Sequence, residues 1–272
     1  MQRDELLLGK RVDYESDYDP ALLHPIARRD GRALLGLSEP LPFTGCDIWN
    51  GYELSWLDAY GKPVVALGEF RVPAESPAII ESKSLKLYLN SLNMRRFDAP
   101  QQVRDTIAAD LTACTGAPVE VMLRLPSEWR HLPLGEPEGI CLDELALNTD
   151  RYQPAPELLR TCSDTVVEKR YFSRLLRSRC PVTGQPDWGG VTIAFGGAEI
   201  DPLGLLGYIV SFRQHQDFHE QCVERMFCDI WQRCRPQWLT VSARYLRRGG
   251  LDINPWRSSL AGGAENLRWF QQ

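Results

Sequence analysis

The chain carries one order of patterned segments twice. Trp49 to Leu57 and Val64 to Val72 are rich in aromatic and β-branched residues, and Asp58-Ala59-Tyr60-Gly61-Lys62-Pro63 joins them, which predicts a β-hairpin. Glu81 to Asn93 sets Leu85, Tyr88, Leu89 and Leu92 at spacings of three and four, and the stretch after Pro100 does the same with Val103, Ile107, Leu111 and Cys114. Two helices are therefore expected. Val119, Val121, Leu123 and Leu125 then alternate as in a half-buried strand, with Ile140 to Leu147 as its expected partner. Beyond the polar, proline-containing Asn148 to Pro156 the order returns. Val166 to Phe172 and Val191 to Phe195 read as strands, Leu203 to Phe212 and Asp217 to Cys234 as helices, Leu239 to Tyr245 and Leu251 to Trp256 as strands. The offset is roughly 120 residues. The expectation is an α+β chain of two modules of β-β-α-α-β-β order, 1–150 and 151–272. Residues 1 to about 45, with Pro20, Pro25, Pro40 and Pro42, read as an extended lead-in.

At 272 residues the chain can bury a real core, and its net charge of −5 disfavours general polyanion binding. Met1-Gln2-Arg3-Asp4-Glu5 followed by a brief Leu6-Leu7-Leu8 run predicts no signal peptide, and no apolar stretch approaches a membrane span. Eight cysteines are scattered without the dense spacing of a disulfide framework, so a reduced, cytoplasmic protein is expected.

Chemistry concentrates in Ser178-Arg179-Cys180-Pro181-Val182-Thr183-Gly184-Gln185-Pro186-Asp187-Trp188. Two prolines and a glycine keep this stretch out of helix and central strand, with a thiol and a carboxylate at its ends. Arg174, Arg177 and Arg179 lie just upstream, and positive charge favours thiolate over thiol. An inert surface cysteine beside an acidic turn residue fits the same pattern. At the start of the long helix, Asp217 and Glu220 read as a capping box around Phe218 and His219, which is compatible with a ligand at that helix N-terminus. His215 and His219 are four apart, but no third ligand stands at zinc-peptidase spacing, so no metal is expected. Glu81-Ser82-Lys83-Ser84-Leu85-Lys86-Leu87-Tyr88 collects a carboxylate, hydroxyls and lysines at a helix start, suited either to a polar heterocycle and phosphate or to a solvated charged face. Arg244, Arg247, Arg248 and Gly249-Gly250 suit a phosphate. No Gly-x-Gly-x-x-Gly follows a strand, so a nucleotide would be held outside a Rossmann fold.

Taken together, the 81–88 motif, Cys180-Pro181-Val182-Thr183 with Asp187, and Phe218-His219-Glu220 closely resemble the NADPH-dependent 7-cyano-7-deazaguanine reductases, the nitrile reductases of queuosine biosynthesis. The resemblance spans nearly the whole chain and matches the two-module form. It implies tandem tunnelling-fold (T-fold) modules with an antiparallel sheet and helices on one face, and a homodimer with sites at module interfaces. It further implies reduction of the nitrile to the primary amine by two NADPH through a covalent cysteine thioimide, without metal. By this similarity Cys180 is the nucleophile, Asp187 the proton donor, and His219 lies beside the nitrile. Ile80, Glu81, Ser82, Phe218, His219 and Glu220 hold the deazapurine, and Ser82, Lys83, Arg248 and Gly249 meet NADPH. No membrane and no stable nucleic-acid partner is implied.

Two other readings are consistent with the residues alone. A cysteine hydrolase or amidinotransferase would pair Cys180 with His219 and never consume NADPH. A non-catalytic purine- or RNA-binding module would use the Arg244 to Arg257 segment as a basic edge and stack bases on Trp256.

Overall fold

A computed structural model describes residues 17–272, and the expectation drawn from Met1 to Leu8 lies outside them. The chain divides into two compact units. The first comprises the chain up to Gly36, Cys46–Pro133 and Arg247–Ile253, and the second Leu37–Gly45, Leu134–Leu246 and Asn254–Gln272.

In the first unit the elements are β1 (Pro25–Ala27), α1 (Arg28–Leu34), β2 (Thr44–Leu57), β3 (Pro63–Pro73), β4 (Ala78–Ile80), α2 (Ser82–Ser91), α3 (Pro100–Thr115) and β5 (Glu120–Arg124). The expected hairpin forms: β3 pairs antiparallel with β2, Trp49 opposite Phe70, and on its other edge with β5, Phe70 opposite Val121. Trp49, Trp56 and Phe70 pack in one core with Leu85, Tyr88 and Leu89 of α2 and Val103, Ile107 and Leu111 of α3. Burying each such side chain stabilises by about 1.5–3 kcal/mol, so the helical stripes and the sheet face specify each other. The lead-in is not simply extended. Arg28 and Arg32 on α1 are drawn inward, Arg28 to Asp47 at 2.5 Å and Ser76 at 3.0 Å, Arg32 to the Ala74 carbonyl at 2.6 Å.

The second unit holds β6 (Leu134–Gly135), β7 (Ile140–Cys141), β8 (Thr161–Ser173), β9 (Arg177–Arg179), β10 (Pro186–Ile200), α4 (Pro202–Ser211), α5 (His219–Cys234), β11 (Trp238–Tyr245), the Asn254–Ser258 part of β12 (Leu251–Ser258), and β13 (Arg268–Trp269). Long β10 runs antiparallel between β8 and β11, with Ile193 opposite both Tyr171 and Val241. The expected strand at Ile140 to Leu147 shrinks to Ile140–Cys141 and pairs parallel with Tyr171 and Phe172 of β8 instead of joining β5. Asp143 ends it, accepting hydrogen bonds from the Ser173 hydroxyl and the Arg174 amide.

The pattern repeat is visible in local detail. α2 and α4 are each 10 residues long and α3 and α5 each 16. A carboxylate caps each shorter helix, Glu81 on α2 and Asp201 on α4. Ser91 and Ser211 each donate to the carbonyl three residues back, of Tyr88 and Tyr208. Each longer helix ends in a left-handed residue, Gly116 at φ 76° and Arg235 at φ 49°. The α5 helix is further tied to β12 by Glu224, whose Oε1 accepts from Arg257 Nε at 3.1 Å and Nη2 at 2.9 Å, both residues buried.

Candidate active site

The Ser178 to Trp188 stretch folds as a tight hairpin, not as an open loop. Arg179 faces Pro186, Ser178 faces Asp187 and Arg177 faces Trp188 across β9 and β10. Asp187 is therefore a strand residue. Its three-residue partner Arg-Ser-Arg has no hydrophobic alternation by which a sequence reading would find it. The connection closes on itself: the Cys180 amide donates to the Gln185 carbonyl at 2.8 Å and the Gly184 amide to the Cys180 carbonyl at 2.9 Å. Pro181 cannot interfere, since it has no amide proton to place. Cys180 is 2% exposed and Asp187 7%.

Of the three upstream arginines, one lies on this connection. Arg179 Nε donates to the Gly184 carbonyl at 3.1 Å. Arg174 is engaged by Glu136 and Asp143, and Arg177 donates to the Arg213 carbonyl at 2.7 Å and lies over Trp188. Arg174 and Arg177 are thus turned to other partners, and of the three only Arg179 lies on the Cys180 connection.

Backbone bonds lock β9 to the segment entering α5: the Arg179 amide donates to the His215 carbonyl at 2.8 Å and the Asp217 amide to the Arg179 carbonyl at 3.3 Å. The start of α5 is thereby held beside the cysteine hairpin. Phe218, not Asp217, is the N-cap residue, and Gln221 Oε1 accepts from its amide at 3.4 Å. Glu220 takes no part in a capping box. It sits one residue too early for that and is 2% exposed, a buried carboxylate in the first turn where the helix dipole favours negative charge. His219 Nε2 lies 3.3 Å from Asp187 Oδ2. Below it, burial first and the nearby Asp217 charge second push the Cys222 thiol well above its ordinary value. That thiol is held protonated. Tyr245, absent from the sequence reading as anything but a core residue, stacks flat on His219.

In the first unit Ile80 ends β4, opposite Pro25, and Glu81 follows fully buried as the N-cap of α2. Its carboxylate accepts from the Lys83 amide at 3.0 Å and the Ser84 amide at 2.7 Å. A carboxylate has about four acceptor positions, so this cap leaves capacity for a ligand's N–H groups. Ser82 and Lys83 form the first helical turn. Arg248 and Gly249 belong to a tight turn closed by the Arg248 amide on the Leu251 carbonyl at 2.9 Å. This turn borders a cavity of about 200 Å³ lined by Glu53, Lys86, Asn90, Asn93, Gly249 and Gly250. Gly249 has φ 61°, and a Cβ there would come within 2.9 Å of Lys86 Nζ. The cavity's two charged lining residues, Lys86 and Glu53, face each other at 3.9 Å, and the side-chain amides of Asn90 and Asn93 supply its other polar groups.

The basic edge invoked for RNA is otherwise engaged. Arg257 is buried on Glu224, and Arg244, 5% exposed, donates to Asn266 Oδ1 at 2.7 Å. Among the described residues no group of three or more His, Cys, Asp or Glu side chains is placed to hold a metal, and no helix is long and apolar enough to cross a membrane.

Comparison with known proteins defines the class, that of the nitrile reductases. Residues 14–123 match the model described as nitrile reductase, 7-cyano-7-deazaguanine-reductase N-term, and residues 186–262 the model described as QueF-like protein. The chain is 58% identical over 266 residues to the NADPH-dependent 7-cyano-7-deazaguanine reductase of Bordetella avium, covering 97% of each chain. It is 56% identical to the one so named in Dechloromonas aromatica, over 93% of this chain and 89% of that one, and 53% identical to that of Desulfotalea psychrophila, over 97% and 96%. The chain belongs to the NADPH-dependent 7-cyano-7-deazaguanine reductase family.

Proposed function

We propose that this chain reduces the nitrile of 7-cyano-7-deazaguanine to the primary amine, with Cys180 as nucleophile. The observation that carries this reading is the 3.3 Å contact of His219 Nε2 with Asp187 Oδ2 on the hairpin that Cys180 closes. A nitrile carbon is a weak electrophile. As the Cys180 sulfur bonds to it, the C≡N π pair moves to nitrogen and must be met by a proton. The Asp187–His219 contact, with both side chains largely shielded from water, is placed to relay such a proton. The product of this step is a thioimide; once its carbon has taken up hydride, the C–S bond can break, which returns the cysteine sulfur and leaves an imine for the second hydride. General acid catalysis of this kind contributes about a hundred- to ten-thousandfold.

Glu81 and Glu220 are two buried carboxylates suited to the ring N–H and amino donors of a deazaguanine, with Ile80, Ser82 and Phe218 beside them. NADPH, when bound, supplies hydride, two equivalents per nitrile. Ser82, Lys83, Arg248 and Gly249 would hold it, and of these Gly249 lines the cavity beside Lys86. The reading includes tandem T-fold modules, 1–150 and 151–272; the paired helix lengths and caps support the repeat of the helices. It also includes a cytoplasmic homodimer acting on a small deazapurine, with no stable nucleic-acid partner. The test is turnover: wild-type chain should oxidise two NADPH per nitrile and Asp187→Asn should slow both. NADPH oxidation unchanged by Cys180→Ala would refute the assignment.

A further inference from the structure

The Tyr245 ring lies on the His219 imidazole with centroids 3.7 Å apart and 3° between the planes. Tyr245 ends β11 and is fully buried. Its backbone is fixed on both sides: Gln272 Nε2 donates to its carbonyl at 3.0 Å, and the next amide, of Leu246, donates to the Trp188 carbonyl at 2.8 Å. Across the strand pair it faces Gly189, two residues from Asp187. A Cβ on Gly189 would come within 3.1 Å of the Tyr245 ring and 2.8 Å of the Arg244 carbonyl oxygen, so the glycine leaves the ring its place. The carboxylate and the aromatic ring that flank His219 thus come from one pair of adjacent strands.

The imidazole needs this support. Its Nδ1 is buried and makes no hydrogen bond, so no polar contact on that side sets the ring plane. Among the described residues, the contact of Nε2 with Asp187 and the flat stack are what orient it. The Tyr245 hydroxyl is directed elsewhere, beside Ser178 and Cys222, and burial pushes it well above its ordinary value, which makes it a poor acid.

We propose that Tyr245 is a positioning residue for nitrile protonation: its ring, not its hydroxyl, holds the His219 imidazole in the plane that directs Nε2 to Asp187. The inference rests on the nitrile-reductase reading above. In the step it serves, the Cys180 sulfur gives up its proton and bonds to the nitrile carbon, and the displaced π pair takes a proton delivered across the Asp187–His219 contact. An imidazole free to turn would present that proton off line, and a misplacement of about 1 Å can slow a reaction about a hundredfold.

The experiment measures the rate of mass gain on Cys180 with saturating 7-cyano-7-deazaguanine and no NADPH, alongside the affinity for the same compound by calorimetry. Y245F keeps the ring and should react within about threefold of wild type, whereas Y245M fills the space without a ring and should slow at least about tenfold with affinity changed less than about threefold. In an H219A background Y245M should cause no further slowing, because the ring acts through the imidazole; a merely structural role would slow both backgrounds alike. Y245M reacting at the wild-type rate, Y245F falling as far as Y245M, or equal slowing in the H219A background would each overturn the proposal. If Y245M does not fold, Gly189→Ala, which crowds the ring in place, decides: about tenfold slowing is expected, and a wild-type rate overturns it. A wild-type chain that forms no adduct defeats the nitrile reading itself, and this inference with it.

Discussion

Tyr208 donates its hydroxyl to Asp229 Oδ2 at 2.6 Å, clasping α4 to α5, and about 120 positions earlier Tyr88 donates to Asp110 Oδ2 at 2.5 Å between α2 and α3. The same residue types occupy the same places in helices of the same length. Each clasp sits beneath a shorter helix whose N-cap is a carboxylate, but the two caps have diverged. Glu81 is fully buried, while Asp201 is bound at 2.8 Å by Arg160.

The clasp makes a first prediction about pH. Burial, the largest influence, holds the Asp229 carboxyl above its ordinary value, and Tyr208 and Arg225 only partly oppose it. The native chain therefore keeps this proton to higher pH than the unfolded chain. Its contribution is full below the unfolded value and is lost as pH rises through the raised native one. Asp229→Asn should flatten the fall of stability with pH over that window, measured as urea midpoints from pH 4 upward. Tyr208→Phe should cost about 1–3 kcal/mol at neutral pH by leaving the buried carboxylate short of a donor.

The Arg257–Glu224 pair should be more sensitive still. Both groups are buried, and Glu224→Leu would strand the guanidinium in a site without water. About 3–5 kcal/mol of stability should be lost. Denaturant unfolding measures it, and a loss under about 1 kcal/mol would show that the guanidinium finds another partner.

Arg235 ends α5 in the left-handed region, where a side chain is strained and glycine is not. Arg235→Gly should raise stability by about 0.5–1 kcal/mol with turnover unchanged, seen as a higher melting temperature.

Gly249→Ala should place a methyl against Lys86 at the wall of the cavity and strain the turn. The KM for NADPH should rise several-fold while the KM for the nitrile holds. Equal changes in both would place the cavity outside the cofactor site.

Much of the fold was legible because it is local. The spacing of Leu85, Tyr88, Leu89 and Leu92 and the punctuation by Pro100 and Pro202 declare the helices without reference to partners. What escaped depends on distant contacts. The α1 helix is built on Arg28 reaching Asp47 and Arg32 reaching Ala74, and a three-residue strand at Ile140–Cys141 takes its partner from β8 rather than β5. The site divides the same way. Cys180, Asp187, His219 and Glu220 stand out by residue type and order, whereas Tyr245 looks like any alternating strand residue until β11 is laid beside Gly189. At the start of α5 the cap lies one residue later than the spacing of Asp217 and Glu220 predicts: Phe218 takes it, without a side-chain acceptor, and Gln221 reaches back to its amide.

The central claim is that Cys180 attacks the nitrile, and intact mass tests it most directly. Purified chain mixed with 7-cyano-7-deazaguanine and no NADPH should gain the full mass of one nitrile per chain, lose that gain in Cys180→Ala, and release it on addition of NADPH. No adduct on wild-type chain, or an adduct that persists in Cys180→Ala, would contradict the account.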